Sequence, residues 1–402
     1  MPTYLSPGIY VEELPSANKP IEGVGTAVAA FVGLAPGGPM DTPLRVSGWG
    51  QFAKVYGDRN EPDNGPFMEG AFLAHAVYGF FQNGGSLCWV VRVGGSTPRD
   101  LGGDAAERRG VGGLAAIDEV TMVCMPDAMT LAGDGDEVEL NALQGKLIAH
   151  CENAGSRMAI LDCPPRLSPR EVLDWRTSGP GYDSKDAALY YPWLEVADPL
   201  TGRPLLVPPS GHVAGVWCRT DAAFGVHRAP TEGVVGVAGL GFDVADTDQA
   251  ELAEAGVNPI RALPGQGIRV WGARTLSSDP EWRYVPVRRV FLHLASSIDQ
   301  GTRWTVFEPN DERLWEELRE EVEHFLDRSW RDGALAGETA NDAYYVKCGA
   351  ETTPSEVIEA GQFVCEIGIA PVKPREFAIL RLNRIAADAR RRREPAASSR
   401  PA

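Results

Sequence analysis

Residues 207–221, VPPSGHVAGVWCRTD, put Ser210, His212 and Asp221 on one short stretch. A hydroxyl, an imidazole and a carboxylate are the groups of serine-type hydrolysis. The imidazole takes the hydroxyl proton and the carboxylate orients the imidazole. Other chemistries find less. The six His are dispersed, with no HxxxH or HExxH pair, so no metal site is expected. GLGFDVAD and GQGIRVWG lack both GxGxxG spacing and a P-loop Lys, and read as turns at strand ends. DGDEVEL (134–140) lacks the Gly and closing Glu of a calcium loop and reads as an acidic surface loop. No cofactor is expected.

Charge and cysteine use narrow the field further. A formal charge of −17 opposes binding to phosphate backbones, so no nucleic-acid partner is expected. The one Arg run, Arg390 to Arg393, lies in a polar tail that reads as solvated and disordered. The seven cysteines are scattered, without a CxxC, and several sit in apolar runs such as LCWVV and FVCEIG. They read as reduced, packed thiols rather than a disulfide framework. The N-terminus shows no basic-then-apolar secretory pattern, and no apolar run is long enough to span a bilayer, so direct membrane insertion is not expected.

The elements that must position these residues follow from pattern. Pro2, Pro7, Pro15 and Pro20 keep the N-terminus extended, with one short strand in GIYVEEL. TAVAAFVG, SLCWVVRV, EVTMVCMPD and RMAILDCPP read as buried strands. MEGAFLAHAVYGFFQNGG and NALQGKLIAHCENAG read as the helices between them, giving parallel βαβ units. AALYYPWLEV (187–196) reads as one further strand, and a helix starts after Pro208 and Pro209. Beyond about residue 280 the texture changes. WRYVPVRRVFLHLASSI reads as strand then helix, and residues 310–330 as an amphipathic helix capped by Asn310 or Asp311. AYYVKCG (343–349), QFVCEIGIAPV (362–372) and EFAILRLNRI (376–385) read as strands, the last set off by Pro371 and Pro374.

In this order the segments resemble the tail sheath proteins of contractile phages and phage-like injection particles. The resemblance rests on YLSPGIYVEELPSANKPIEGVGTAVAAFVG, ALYYPWLEVADP, VPPSGHVAGVWCRTDAAFGVHRAPT, VWGARTLSSDPEWRYVPVRRV, FEPNDERLWEELREEVEHFL and GIAPVKPREFAIL, and covers almost the whole chain. It implies an α/β fold: a subtilisin-like parallel-sheet domain without a catalytic triad, a C-terminal α+β domain, and extended strand arms at both ends. SGHVAG is similar to the Ser-Pro-His-Val-Ala-Gly part of the subtilisin nucleophile helix. The nucleophile position, five residues before His212, is here Val207. Asp162 stands at the match to the catalytic Asp strand, and the His-Gly-Thr-His base segment is absent. Ser210 and His212 are therefore expected to cap and pack the helix, and no enzymatic activity is expected.

The domains expected are an exchange arm (1–22), a sheath domain (23–279), a tube-facing domain (280–372), a second arm (373–388) and a disordered tail (389–402). The function expected is that of a structural subunit forming stacked six-membered rings around an inner tube and contracting to drive the tube through a target membrane. The alternative is a subtilisin-type or degenerate hydrolase. Partners implied by the resemblance are other copies of the chain, the inner tube protein, and baseplate and tail-terminator or cap proteins. Assembly is expected in the cytoplasm, within a phage tail or a phage-like particle open to release. Subunit contacts are expected at Ile9, Tyr10, Val11 and Glu12 and at Phe377, Ile379, Leu380 and Leu382, added as strands to a neighbour's sheet near 343–349 and 362–372. Glu316, Glu317, Glu320 and Glu323 form an acidic face that reads either as solvated or as tube-facing. The ten Trp, several beside Arg, read mostly as core, with some expected to stack under guanidinium groups at subunit contacts.

Overall fold

The computed structural model describes residues 20–58, 65–133, 137–359 and 362–373. The expected arm strands around Ile9–Glu13 and 376–385 lie outside the described residues. The described chain opens on β1 (Ala29–Gly33), buried at all five positions. It passes through β2 (Leu44–Val46) and helix α1 (Trp49–Tyr56) to α2 (Leu73–Gln82) and β3 (Cys88–Arg92). Next come β4 (Met122–Cys124), α3 (Glu137–Ala154) and the fully buried β5 (Met158–Asp162). Gly155 stops α3 with φ 63°, a conformation that glycine takes without strain. The expected loop at 134–140 is corrected from residue 137 onward: Glu137 and Glu139 form the first turn of α3, where the helix dipole favours negative charge.

Helix α4 (Pro169–Ser178) starts on a reciprocal Ser168–Glu171 capping box and leads to β6 (Ala187–Tyr191). The strand expected over 187–196 is two strands. Pro192 has no N–H for the ladder, and β7 (Leu194–Ala197) joins a separate three-stranded sheet with β8 (Pro204–Val207) and β9 (Gly239–Leu240). Between β8 and β9 lies α5 (Ser210–Phe224), the helix of the opening motif. Helix α6 (Asp246–Glu254) then precedes β10 (Val257–Leu263) and β11 (Gly267–Val270). The strand expected ahead of the next helix is absent. Pro286 lies in the first turn of α7 (Val285–Gly301), where a missing N–H costs nothing, and Tyr284 makes only an isolated bridge to Arg274. Helix α8 (Glu312–Arg331) is capped by Asp311, which accepts from the Leu314 amide at 3.0 Å. Strands β12 (Tyr344–Cys348) and β13 (Cys365–Ile369) close the described chain as an antiparallel pair.

The large sheet has eight strands in the order β11-β10-β6-β5-β4-β1-β3-β2. The inner six run parallel, and each edge strand is antiparallel to its neighbour. Side chains alternate across it. Leu161 and Leu189 face one core with Leu143 and Leu147 of α3. Ile160 and Tyr190 face the other, with Phe80 of α2 and Trp217 of α5. A third core joins Ile21, Val290 and Leu294 to the apolar face of α8 and to β12.

Candidate functional site

The hydrolase-like stretch is assembled around Asp162. This last residue of β5 accepts from the Ser210 amide and from Ser210 Oγ, both at 2.7 Å. Ser210 is the first residue of α5, so a carboxylate from the sheet sits on the positive end of the helix. That corrects the expected capping role of Ser210: its hydroxyl donates, and the acceptor at the helix terminus is Asp162. Burial pushes the Asp162 carboxyl up to about 7, against the pull of the two Ser210 hydrogen bonds.

His212 packs as expected. It is 2% exposed and lies against α2 at Gly79, where a Cβ would come within 2.4 Å of the ring. Burial, reinforced by His75, pulls its imidazole down to about 4, so it is neutral and cannot pair with an anion at neutral pH. Asp221 turns the other way: it pairs with Arg289 at 2.6 Å and accepts from Thr26 Oγ1 at 2.7 Å. Val207 is buried in β8. Ser210 and Asp162 are thus brought together, while His212 and Asp221 serve other contacts. Ser210 has no exposed surface and spends its proton on Asp162, so the stretch works as a clamp between sheet and helix.

A second carboxylate of the same kind has no counterpart in the sequence reading. Asp127, three residues past β4, accepts from the Leu34 amide at 2.6 Å and from the amides of Phe72 and Leu73. It lies where β1 separates β3 from β4 and the strand order reverses, at the carboxyl ends of the strands. Open α/β sheets bind anionic ligands in that crevice. Here the chain's own carboxylate occupies it, at the start of α2. Burial pushes Asp127 up to about 6. Gly33 leaves room for it, since a Cβ there would lie 2.2 Å from Oδ2. The available signals were MPDA directly after an apolar strand and a glycine closing β1.

Two further buried charges tie α7 to the sheet. Arg289, 4% exposed like Asp221, also donates to the Thr26 carbonyl and lies 4.7 Å above the Trp217 ring. Arg288 holds Asp186 through two bonds of 2.7 and 3.1 Å and lies 5.3 Å above Trp282. These Arg–Trp stacks are therefore made inside one chain. Between α7 and the amino ends of the strands is a cleft of about 320 Å³, bordered by Asp118, Glu119, Ser156, His293 and Arg303. It is at the opposite end of the sheet from Asp127 and Asp162. Among the described residues no group of His, Cys, Asp and Glu is arranged to hold a metal.

The C-terminal residues present a different kind of surface. Among the described residues β12 pairs only with β13, over five register positions from Tyr344↔Ile369 to Cys348↔Cys365. Tyr345 and Val364 are exposed beside this ladder. On α8, Glu316 and Glu320 are exposed and Glu317 and Glu323 half-buried, opposite the buried Leu314, Leu318, Val322 and Phe325. Glu316 meets Arg319 at 3.5 Å. The expected contact residues Ile9, Tyr10, Val11, Glu12, Phe377, Ile379, Leu380 and Leu382 lie outside the described residues.

Two family models match the chain: the phage tail sheath protein central domain over residues 110–276 and the phage tail sheath C-terminal domain over residues 277–384. A sheath chain of the anti-feeding prophage helical sheath in the contracted state is 30% identical. It superposes with a TM-score of 0.74 over 95% of this chain and 100% of that one. A chain of the contracted PVC sheath complex, an extracellular contractile injection system, is 29% identical, with a TM-score of 0.74 over 96% of this chain and 100% of that one. The tail sheath protein of Vibrio phage KVP40 is 26% identical over 188 residues, 46% of this chain and 27% of that protein. The chain spans about a quarter to just over half the length of the curated relatives it matches first.

Proposed function

Because the chain belongs to the phage tail sheath protein family, we propose that it is the structural subunit of a contractile sheath, without enzymatic activity. In this reading six copies form each ring, rings stack helically around an inner tube, and contraction drives the tube through a target membrane. The observation that carries it is the end-to-end likeness to chains of contracted sheaths, with no part of those chains left unmatched. A heterologous contact that does not close on itself generates such an open helical array. The energy of contraction then lies in the difference between two packings of one subunit, and firing requires no nucleotide.

The central sheet domain (23–279) is subtilisin-like in fold and has no catalytic triad. The clamp at Asp162 supports this, since the serine of the hydrolase-like stretch fastens a helix to the sheet. Residues 280–372 form the tube-facing domain, with Glu316, Glu317, Glu320 and Glu323 toward a basic tube surface. Residues 1–22 and 373–388 are exchange arms, the first rooted by Ile21 in the core beneath α8, that add strands to a neighbour at β12 and β13, which carry half-exposed edges. Further partners are the tube, baseplate and cap proteins. The particle is assembled in the cytoplasm.

Electron microscopy of the purified chain with its tube protein tests the reading. Long hollow cylinders are expected, and persistent monomers with peptidase activity would overturn it. Deleting residues 1–15, or those after Pro374, is expected to leave a folded subunit that builds no long cylinders. Normal cylinders from both truncations would remove the arms from the proposal. Changing Glu316, Glu317 and Glu320 to Lys is expected to impair assembly on the tube alone, and unimpaired assembly would assign those glutamates to solvation.

A further inference from the structure

The seven cysteines are scattered in sequence, yet two of them meet in space. Cys348 and Cys365 are directly opposed in the last register position of the β12–β13 ladder. Opposed residues of an antiparallel pair have Cα atoms about 4.5–5.5 Å apart, inside the range of about 4.4–6.8 Å that a disulfide spans. The two side chains already touch, the Cys365 S–H donating to the Cys348 sulfur. Cys348 is buried against α8, whereas Cys365 is half-exposed and reachable from solvent.

We propose that Cys348 and Cys365 form a reversible redox site, closing to a disulfide across the β12–β13 hairpin when the chain meets a low-molecular-weight disulfide such as oxidised glutathione. In the first exchange the Cys365 sulfur, its proton passing to the Cys348 sulfur that it hydrogen-bonds, attacks one glutathione sulfur. A Cys365–glutathione mixed disulfide forms and one glutathione thiolate leaves. In the second the Cys348 thiolate attacks Cys365 Sγ, the protein disulfide forms and the second glutathione leaves. Both thiol protons end on the two reduced glutathiones, so the protein pair loses two electrons and the reagent gains them.

The surroundings favour this pair over the others. The hydrogen bond from Cys365, helped by the Arg319 guanidinium, holds the Cys348 thiol below its ordinary value. The same hydrogen bond, with burial, pushes the Cys365 thiol up, so its attack depends on handing its proton to Cys348. Burial pushes up Cys88, Cys124, Cys151, Cys163 and Cys218 as well, and none of these five faces a lowered thiol across a strand pair. The bond closes the connection 349–364 and leaves the outer edges of β12 and β13 untouched. The site does not depend on the sheath reading.

The test equilibrates the full chain with oxidised glutathione, quenches with acid, alkylates, and cleaves after glutamate without reduction. Cleavage at Glu351, Glu356 and Glu359 separates the two cysteines. The expected product is a linked Cys348–Cys365 pair of peptides, reversed by dithiothreitol, with the other five thiols alkylated only after unfolding. Cys88→Ser is expected to leave the link intact and Cys365→Ser to abolish it. Recovery of both cysteines as free thiols, or of glutathione held permanently on Cys365, would overturn the proposal.

Discussion

The eight-stranded sheet and the β12–β13 hairpin solve opposite problems. The sheet layer fastens α2, α5 and α7 with buried charge: Asp127 at the start of α2, Asp162 at the start of α5, Arg289–Asp221 between α5 and α7. Each of these groups is almost fully desolvated, and each hydrogen bond has a fixed partner, so the layer tolerates one arrangement. The hairpin is held by α8 on one face, and its polar contacts are exposed, as with Tyr345 Oη to Glu366 at 2.7 Å and Lys347 to Glu366 at 3.9 Å. A layer meant to stay rigid puts its charges inside. A surface meant to accept another strand keeps its groups in water until it is covered.

The sharpest way to break this contrast is at Arg289. Replacing it by Ala leaves Asp221 buried without its cation, and is expected to cost about 3–5 kcal/mol in denaturant unfolding. Arg289→Met combined with Asp221→Leu is expected to recover most of that loss. A loss below about 1 kcal/mol for Arg289→Ala would mean that the pair is not desolvated as described.

Asp162→Ala comes next. It strands the Ser210 amide and hydroxyl in the interior, for an expected loss of about 1–3 kcal/mol. Asp162→Asn keeps an acceptor and is expected to lose less. Equal losses for the two would assign the effect to volume instead of hydrogen bonding.

The pH dependence is gentler and has a definite sign. Asp162 is raised in the folded chain from 3.8 to about 7, so the folded state holds a proton that the unfolded state has released. Its contribution is full below about pH 3.8 and is lost as pH rises through about 7. The advantage of wild type over Asp162→Asn should therefore grow as pH falls from about 8 to 5 and shrink as pH rises. A difference independent of pH would mean that the carboxyl is already ionised and well solvated. His212, drawn down from 6.5 to about 4, acts in the opposite sense, with stability lost as pH falls below about 6.5.

At the hairpin, Lys347→Ala is expected to change stability by about 0–1 kcal/mol, because the pair with Glu366 is exposed. A larger loss would place the hairpin with the rigid layer and remove the contrast.

What the sequence made legible follows the same division. Apolar runs marked β1, β3, β4 and β5, and the helical period marked α8 with its Asp311 cap, because burial on one or both faces leaves a local pattern. Asp127 was barely legible: the amides that donate to it come from the end of β1 and the start of α2, more than fifty residues away in the chain, and a lone Asp after a strand carries no period. The same holds for Asp162 with Ser210, where residue types suggested capping and the fold reversed donor and acceptor. The break at Pro192 and the start of α7 at Val285 were hidden by β-branched and aromatic residues, whose preference for strands tertiary packing overrode. The pairing of Cys348 with Cys365 needed the register of two strands, which spacing alone does not give.

Helix α7 joins the two layers. Val285 and Leu292 pack in the sheet core, Val290 and Leu294 in the core beneath α8, and Arg288 and Arg289 are pinned to Asp186 and Asp221. Its 17 residues make a rod about 25 Å long. Mechanically the rod is a keyed shaft: a torque applied to either layer is carried across by covalent backbone, and slip requires pulling two guanidinium groups out of their sockets.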